Sequence, residues 1–318
     1  MTLHRADLKP VERFSSGSTL LDLALGGGWA EGRVINIVGD RSTGKTLLAI
    51  EGCANYALKF GYDIKYIEGE AAFDQSYAES VGLPTSKITF PEDIYTIEGI
   101  AAEVSSIDRK TLVVIDSLDS FSDEAELKSD FGAASYGAAK AKLLSQFFRR
   151  YNAVSSKYVT LMVISQVRDN IGVTFGAKHT RSGGKALDFY ASQVVWLAKK
   201  KMVEKTIKKV TRKVGVWSRA KVEKNKTGPP FREIDQLIRF GYGVDNIASI
   251  LEWFVGNDTM TKAEATAVKK KLNTLGDDEY FDLLNTYIEK CQKVWTEIES
   301  CFEPERCKYN PPNSRETL

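Results

Sequence analysis

"RVINIVGDRSTGKT", Arg33–Thr46, decides how the whole chain is read. Val34, Ile35, Ile37 and Val38 make a short β-branched run, the composition of a buried strand. Gly39–Thr46 then fits G-x-x-x-x-G-K-[ST] in the context that pattern requires, with an apolar strand before it and a helix beginning near Gly44. Across Gly39, Ser42, Thr43 and Gly44, backbone N–H groups can close around phosphate oxygens, and the amino terminus of the helix adds positive potential. Lys45 is placed to reach the β and γ phosphates, and Thr46 offers a hydroxyl to Mg²⁺. The pattern predicts a nucleoside triphosphate bound with Mg²⁺.

Working outward, "YDIKYIE", "TLVVIDS" and "YVTLMVIS" repeat the buried-strand composition, separated by helical stretches, from about Arg33 to Ser192. Strands alternating with helices predict a parallel sheet covered by helices. "VVWLAKK", "KVGVWSRAKVEK" and "FREIDQLIRF" follow without long helices between them and predict an antiparallel extension of that sheet. Near Gly256 the composition shifts; "TKAE", Thr261–Glu264, has capping-box spacing, and Phe281, Leu284, Ile288, Cys291, Trp295 and Ile298 recur at helical intervals. The expected class is α/β, with an amino-terminal segment (1–32) available for protomer contact, a core (33–255) and a small helical carboxyl-terminal domain (256–318) whose end is frayed.

Asp116 closes "TLVVID", which puts a carboxylate at the carboxyl edge of the sheet, where it can hold hydrated Mg²⁺. Turnover also needs a group that orients water. Glu68 and Glu70 in "YIEGE" lie at i, i+2 on one side of an extended segment, and spacing does not choose between them.

Hydrophobic content of 43% and a net charge of +2 over 318 residues fit a soluble globular chain rather than a disordered one. No apolar run approaches the roughly 20 residues of a membrane helix, and the start lacks a secretory core, so no membrane partner and a cytoplasmic location are expected. Cys53, Cys291, Cys301 and Cys307 lack metal-ligand spacing and disulfide density and are expected to be reduced. The charge is uneven: Lys199–Lys226 carries 12 Lys or Arg against Glu204 and Glu223. This segment is either a polyanion site or a solvated hairpin.

With these motifs in order, "FSSGSTLLDLALGGG", "GDRSTGKT", "YIEGEAAFDQSYAESVG", "VVIDS", "ISQVRDNIGVTFG", "SGGKALDFYAS" and "KVEKNKTGPPF", the chain resembles the RecA-type recombinases from about Phe14 to Gly243. The resemblance implies a RecA-like P-loop core. It implies ATP and Mg²⁺ as cofactors, single-stranded DNA as partner, double-stranded DNA as the pairing partner, and a homo-oligomeric helical filament. It places the catalytic glutamate at Glu70, nucleotide-base contacts at Asp74 and Tyr77, and the γ-phosphate sensor at Gln166. Arg168, Asn170, Ile171, Gly172, Val173, Gly183 and Gly184 fall in the second DNA loop, with Ile171 as an apolar wedge between bases. Tyr136, Ser145 and Arg149 match the first DNA loop and the helix after it, and a one-residue length difference leaves Lys140 and Lys142 as alternatives. Lys224 and Lys226 match lysines that reach the ATP of a neighbouring protomer, and Arg219 and Lys221 match a secondary DNA site.

The sequence departs from the family's pattern at Asp40 and Arg41 within the phosphate loop, which bear on nucleotide turnover, and in the carboxyl-terminal domain. The shared core begins about 14 residues into the chain, leaving little room for the family's long amino-terminal docking helix. The expected activity is DNA-dependent ATP hydrolysis coupled to strand exchange. Two alternatives are a RecA-core motor or helicase, and a recombination mediator with little turnover.

Overall fold

The computed structural model describes residues 10–69, 73–128, 137–169, 179–181 and 184–303, with 128, 137–139, 168–169, 179–181 and 184–185 described by backbone alone. In chain order the strands are β1 (Arg13–Phe14), β2 (Trp29–Ala30), β3 (Val34–Gly39), β4 (Asp63–Glu68), β5 (Ile88–Thr89), β6 (Thr111–Asp116), β7 (Val159–Asp169), β8 (His179–Arg181), β9 (Gln193–Ile207), β10 (Val210–Asn225), β11 (Glu233–Arg239) and β12 (Gly243–Asp245). The α-helices are α1 (Thr19–Ala24), α2 (Lys45–Phe60), α3 (Gln75–Ser80), α4 (Ile97–Ser106), α5 (Glu124–Lys128), α6 (Gly137–Arg150), α7 (Gly184–Tyr190), α8 (Asn246–Gly256), α9 (Lys262–Leu272) and α10 (Asp277–Ser300).

Among the described residues one large sheet runs in the order β12-β11-β10-β9-β3-β7-β6-β4-β5, with β8 added to the end of β7. From β9 through β3, β7, β6, β4 and β5 every neighbouring pair is parallel; β10, β11 and β12 continue antiparallel. The α/β class with an antiparallel extension is the one the sequence predicts. Strand period two divides the parallel part into two faces. Val34, Val38, Val113, Ile115, Leu161 and Val163 pack with Ile97, Ile100 and Val104 of α4 and Leu144, Phe147 and Phe148 of α6. On the other face Gly52 of α2 lies against Met162, and all six residues of β3 are buried. Helices on both faces explain why β3, β6 and β7 are mostly apolar along their length, with the buried Asn36 of β3 accepting the Ser165 hydroxyl of β7 at 2.9 Å.

β9 and β10 outrun this core. The first residues of β9 are buried beside β3, but most of the strand beyond Leu197 is exposed. Its ladder with β10 continues to the pair Ile207–Val210. Lys208 and Lys209 close the hairpin with φ of 49° and 65°, the two-residue turn whose twist matches the strands it joins. Separate strands over "VVWLAKK" and "KVGVWSRAKVEK" are thus one continuous ribbon. In solvent the backbone ladder and cross-strand pairs such as Thr206–Thr211, whose hydroxyls lie 2.9 Å apart, hold it without an apolar pattern.

The chain divides into two compact units, Met1–Ser249 and Ile250–Leu318. In the second, α9 starts from the expected capping box: Glu264 N–H donates to Thr261 Oγ1 at 3.2 Å, and Thr261 N–H donates to Glu264 Oε2 at 2.8 Å. Trp253 and Trp295 have ring centroids 5.5 Å apart. Cys291 is buried in the expected stripe, whereas Phe281, near the start of α10, is exposed. Cys53, Cys291 and Cys301 are unbridged thiols, and burial pushes Cys291 up to about 12. No helix among the described residues is long and apolar enough to cross a membrane. Cys307 and the tail predicted to fray lie outside the described residues.

Candidate nucleotide site and the strand ends beside it

β3 ends at Gly39, which pairs with Leu197 of β9 on one side and Gln166 of β7 on the other. A Cβ on Gly39 would stand 2.7 Å from the Leu197 carbonyl oxygen, so the chain turns here against backbone that has no room to yield. The loop closes on itself: Thr43 Oγ1 donates to the Asp40 carbonyl at 2.9 Å, and Lys45 Nζ donates to the same oxygen at 2.8 Å. Behind it Ser218 of β10 donates its hydroxyl to the Thr43 carbonyl at 2.8 Å. Gly44 is the N-cap of α2 in the left-handed region, φ 99°, and supplies no side-chain acceptor. The first N–H groups of a 16-residue helix therefore face the loop without a capping side chain, the arrangement that receives an anion. Asp40 and Arg41, the departures from the family pattern, are exposed, and Arg41 N–H donates to Asp40 Oδ1 at 2.7 Å.

Thr46, in the first turn of α2, donates to Asp116 Oδ2 at 3.0 Å. A hydroxyl and a carboxylate are hard oxygen donors of the kind Mg²⁺ takes. Among the described residues no group of three or more His, Cys, Asp and Glu could hold a metal. Asp116 is joined to Ser117 by a cis peptide bond. Tyr66 of β4 donates its phenol to the same Oδ2 at 2.8 Å. Burial first, then the neighbouring Asp116, hold this phenol well above its ordinary value, so it stays protonated. Tyr66 escapes a motif reading; the one signal is a hydroxyl inside a strand that is otherwise apolar at its buried positions.

Glu68 is the register partner of Asp116 across β4 and β6, and its Oε1 accepts the N–H of Phe73. Glu70 lies outside the described residues. Asp74 caps α3, accepting from Tyr77 N–H at 3.0 Å. Tyr77 follows it on the first turn of that helix, its phenol raised by burial and then by Glu51. Glu51, on α2, is buried; burial pushes it up to about 7, against the Val244 N–H that donates to its Oε1 at 2.8 Å. Asp22 adds to the rise and is itself pushed up to about 6 by burial, despite donors on Ser15 and Ser16.

Gln166 stands where the buried part of β7 gives way, and its N–H donates to Asp119 Oδ2 at 3.1 Å. Asp119 sits in the turn that follows Asp116, so the phosphate loop, the Asp116 turn and the end of β7 meet at one edge of the sheet. Beyond Gln166, Arg168 is described by backbone alone in β7, and Gly184 likewise at the start of α7. Asn170, Ile171, Gly172, Val173, Gly183 and Tyr136 lie outside the described residues. Ser145 is half-buried and Arg149 exposed on α6, while Lys140 reaches the Phe121 carbonyl.

Lys224 and Lys226 come together at the carboxyl end of α7. Lys224 donates to the Asp188 carbonyl and, at 3.1 Å, to that of Phe189; Lys226 donates to Phe189 at 3.1 Å. Cations there satisfy the last carbonyls of the helix. Arg219 is forked onto Asp235, at 2.8 and 3.1 Å, beside Lys200 at 2.7 Å, and Lys221 pairs with Glu223 at 3.1 Å.

A sheet carrying a phosphate loop at the carboxyl end of a central parallel strand defines a P-loop α/β protein. Residues 1–245 match the family model of the RecA N-terminal domain. Protein RecA of Thermosynechococcus vestitus is 37% identical over 256 residues, 79% of this chain and 70% of that protein. Protein RecA of Streptomyces venezuelae is 35% identical over 264 residues, 81% and 68% of the two chains, and that of Leifsonia xyli 37% over 272 residues, 83% and 74%. The chain belongs to the RecA family, and its general function is that of a RecA-family recombinase.

Proposed function

We propose that this chain is an ATP- and Mg²⁺-dependent recombinase that assembles as a helical homo-oligomer along single-stranded DNA, tests duplex DNA for complementarity and releases DNA on hydrolysis. The observation that carries the reading is the register that sets Gln166 beside Gly39, with the Asp119 carboxylate bound to its N–H. A change at the phosphate loop is thereby one residue-width from the strand end that leads toward Arg168. Coupling of this kind makes nucleotide and DNA stabilise each other's binding by linkage.

Within a bound nucleotide site, Lys45 and the uncapped N–H groups of α2 would hold phosphate oxygens, and Thr46 and Asp116 would hold Mg²⁺. The metal supplies charge neutralisation at the phosphates. Glu70 would orient the attacking water, and Asp74 and Tyr77 would hold the base. Lys224 and Lys226 would leave the α7 carbonyls for the ATP of a neighbouring protomer, exchanging helix carbonyls for phosphate. Arg168, with the loop residues Asn170 to Val173, Gly183 and Gly184, and Tyr136, Ser145 and Arg149, would take DNA phosphates and bases without reading sequence. Arg219, Lys221 and the outer ribbon offer a second, weaker polyanion surface.

A strand-exchange assay with single-stranded circle and homologous linear duplex, run beside electron microscopy with an ATP analogue, tests this. Wild-type protein is expected to form helical filaments and exchange strands, Lys45→Ala neither, and Glu70→Gln filaments without turnover. Closed rings alone, or filaments with no exchange, would overturn the reading in favour of a motor or a mediator.

A further inference from the structure

Asp116 does not stand by itself at the end of β6. Strand alternation puts Tyr66 and Asp116 on the face covered by α2, the helix whose first turn carries Thr46. Tyr66 pairs in register with Val114, one step short of Asp116, a diagonal that a long side chain spans. Its hydroxyl and that of Thr46 both donate to Oδ2, at 2.8 and 3.0 Å. Tyr66 is 1% exposed, and its ring packs on Phe73, edge-on at 5.0 Å, and on Phe90 at 5.9 Å, two rings that also meet each other at 4.8 Å. A phenol with two χ angles, packed on two rings, is a rigid donor.

We infer that Tyr66 is a positioning residue for the divalent cation: its hydroxyl fixes the plane of the Asp116 carboxylate so that Asp116 and Thr46 receive Mg²⁺ together, an inference that rests on the nucleotide-site reading above. Partners that orient a metal-holding carboxylate typically change metal affinity about 10–100-fold when removed. Tyr66→Phe deletes the hydroxyl and keeps both ring contacts. Asp116 Oδ2 retains Thr46 as a donor, so the substitution orphans no buried group.

The test uses the full chain and a fluorescent, non-hydrolysable ATP analogue, titrated with MgCl₂ and separately in EDTA. Tyr66→Phe is expected to raise the Mg²⁺ concentration for half-maximal analogue binding about tenfold, leaving the EDTA affinity and the ligand-free Tm close to wild type. A purely structural role would lower Tm and EDTA affinity together. An Asp116→Asn background has no carboxylate left for the hydroxyl to orient, so adding Tyr66→Phe should move the Mg²⁺ midpoint little further. An unchanged midpoint in Tyr66→Phe, a fall in Tm with parallel loss of EDTA affinity, or an additive shift in the Asp116→Asn background overturns the inference and leaves the nucleotide site standing. Failure of the wild-type chain to bind the analogue, or binding by Lys45→Ala as tight as wild type, sinks the nucleotide site and this inference with it.

Discussion

The two halves of the large sheet are made of the same backbone ladder and do opposite work. β3, β4 and β6 are six residues each and end at Gly39, Glu68 and Asp116; β3 and β6 are buried on both faces, while β4 is half-buried at Asp63 and Lys65. β9 and β10 are 15 and 16 residues, and the outer length of each is exposed and rich in lysine. In the parallel half burial freezes side chains, so a hydroxyl such as that of Tyr66 can be aimed. In the ribbon, solvent keeps charges mobile, and position along the ladder matters more than orientation.

The comparison breaks first at Lys45. Lys45→Ala should weaken analogue binding on the order of 100-fold, the worth of a lost charge-assisted contact. Removing several ribbon lysines should leave that affinity within about twofold, as read by fluorescence titration. Equal losses from both would mean the two halves are not separable.

A second test concerns Glu51, one turn and a half along α2 from Lys45. Its folded value of about 7 lies above the ordinary 4.5. The folded chain therefore binds the proton more tightly than the unfolded chain. The stabilisation is complete below about pH 4.5 and is lost as pH rises through about 7. Glu51→Gln keeps an acceptor for Val244 N–H and has no proton to lose. Denaturant melts should show it more stable than wild type at pH 8, on the order of 2–3 kcal/mol, with the gap closing toward pH 5. Asp22, raised to about 6, keeps a residual slope of the same sign. A pH-independent difference would show that Glu51 is ionised in the fold.

The smallest effect belongs to the ribbon tip. Lys208 and Lys209 occupy left-handed positions that cost a residue with a β-carbon about 1 kcal/mol each. Lys208→Asn with Lys209→Gly suits the turn and should slow amide exchange of the Thr206–Thr211 rungs severalfold. Global Tm should move by less than about 2 °C, because local opening of the ribbon does not involve the core. Losing two cations should also flatten the salt dependence of single-stranded DNA affinity by up to about 1.4 in log–log slope.

What could be read in advance follows the same divide. The buried strands announce themselves because both faces are covered, so Val34–Val38 and Leu112–Ile115 carry no polar alternation. The phosphate loop is legible because its backbone demands glycine at Gly39 and Gly44. The ribbon between Ala198 and Val214 is only half legible: its lysines admit a solvated hairpin as one of two readings, and a ladder in water needs no apolar side that would choose it. Tyr66 and Asp119 escaped for another reason: their roles come from pairing across strands, which no local spacing encodes. The opposite case is Lys224 and Lys226, which family resemblance assigns to a neighbour's ATP and which in this single chain are seated on the carbonyls of α7.

The ribbon's length has a consequence for how such a protein can change. Ile207 lies ten residues past Leu197, the partner of Gly39, a reach of roughly 30 Å at about 3.3 Å per residue. Counterions erase a charge's influence over about 8 Å in physiological salt. Charge substitutions at the tip should therefore leave the electrostatic potential at the phosphate loop of the same chain unchanged, so the far end of the ribbon can vary in charge independently of that loop.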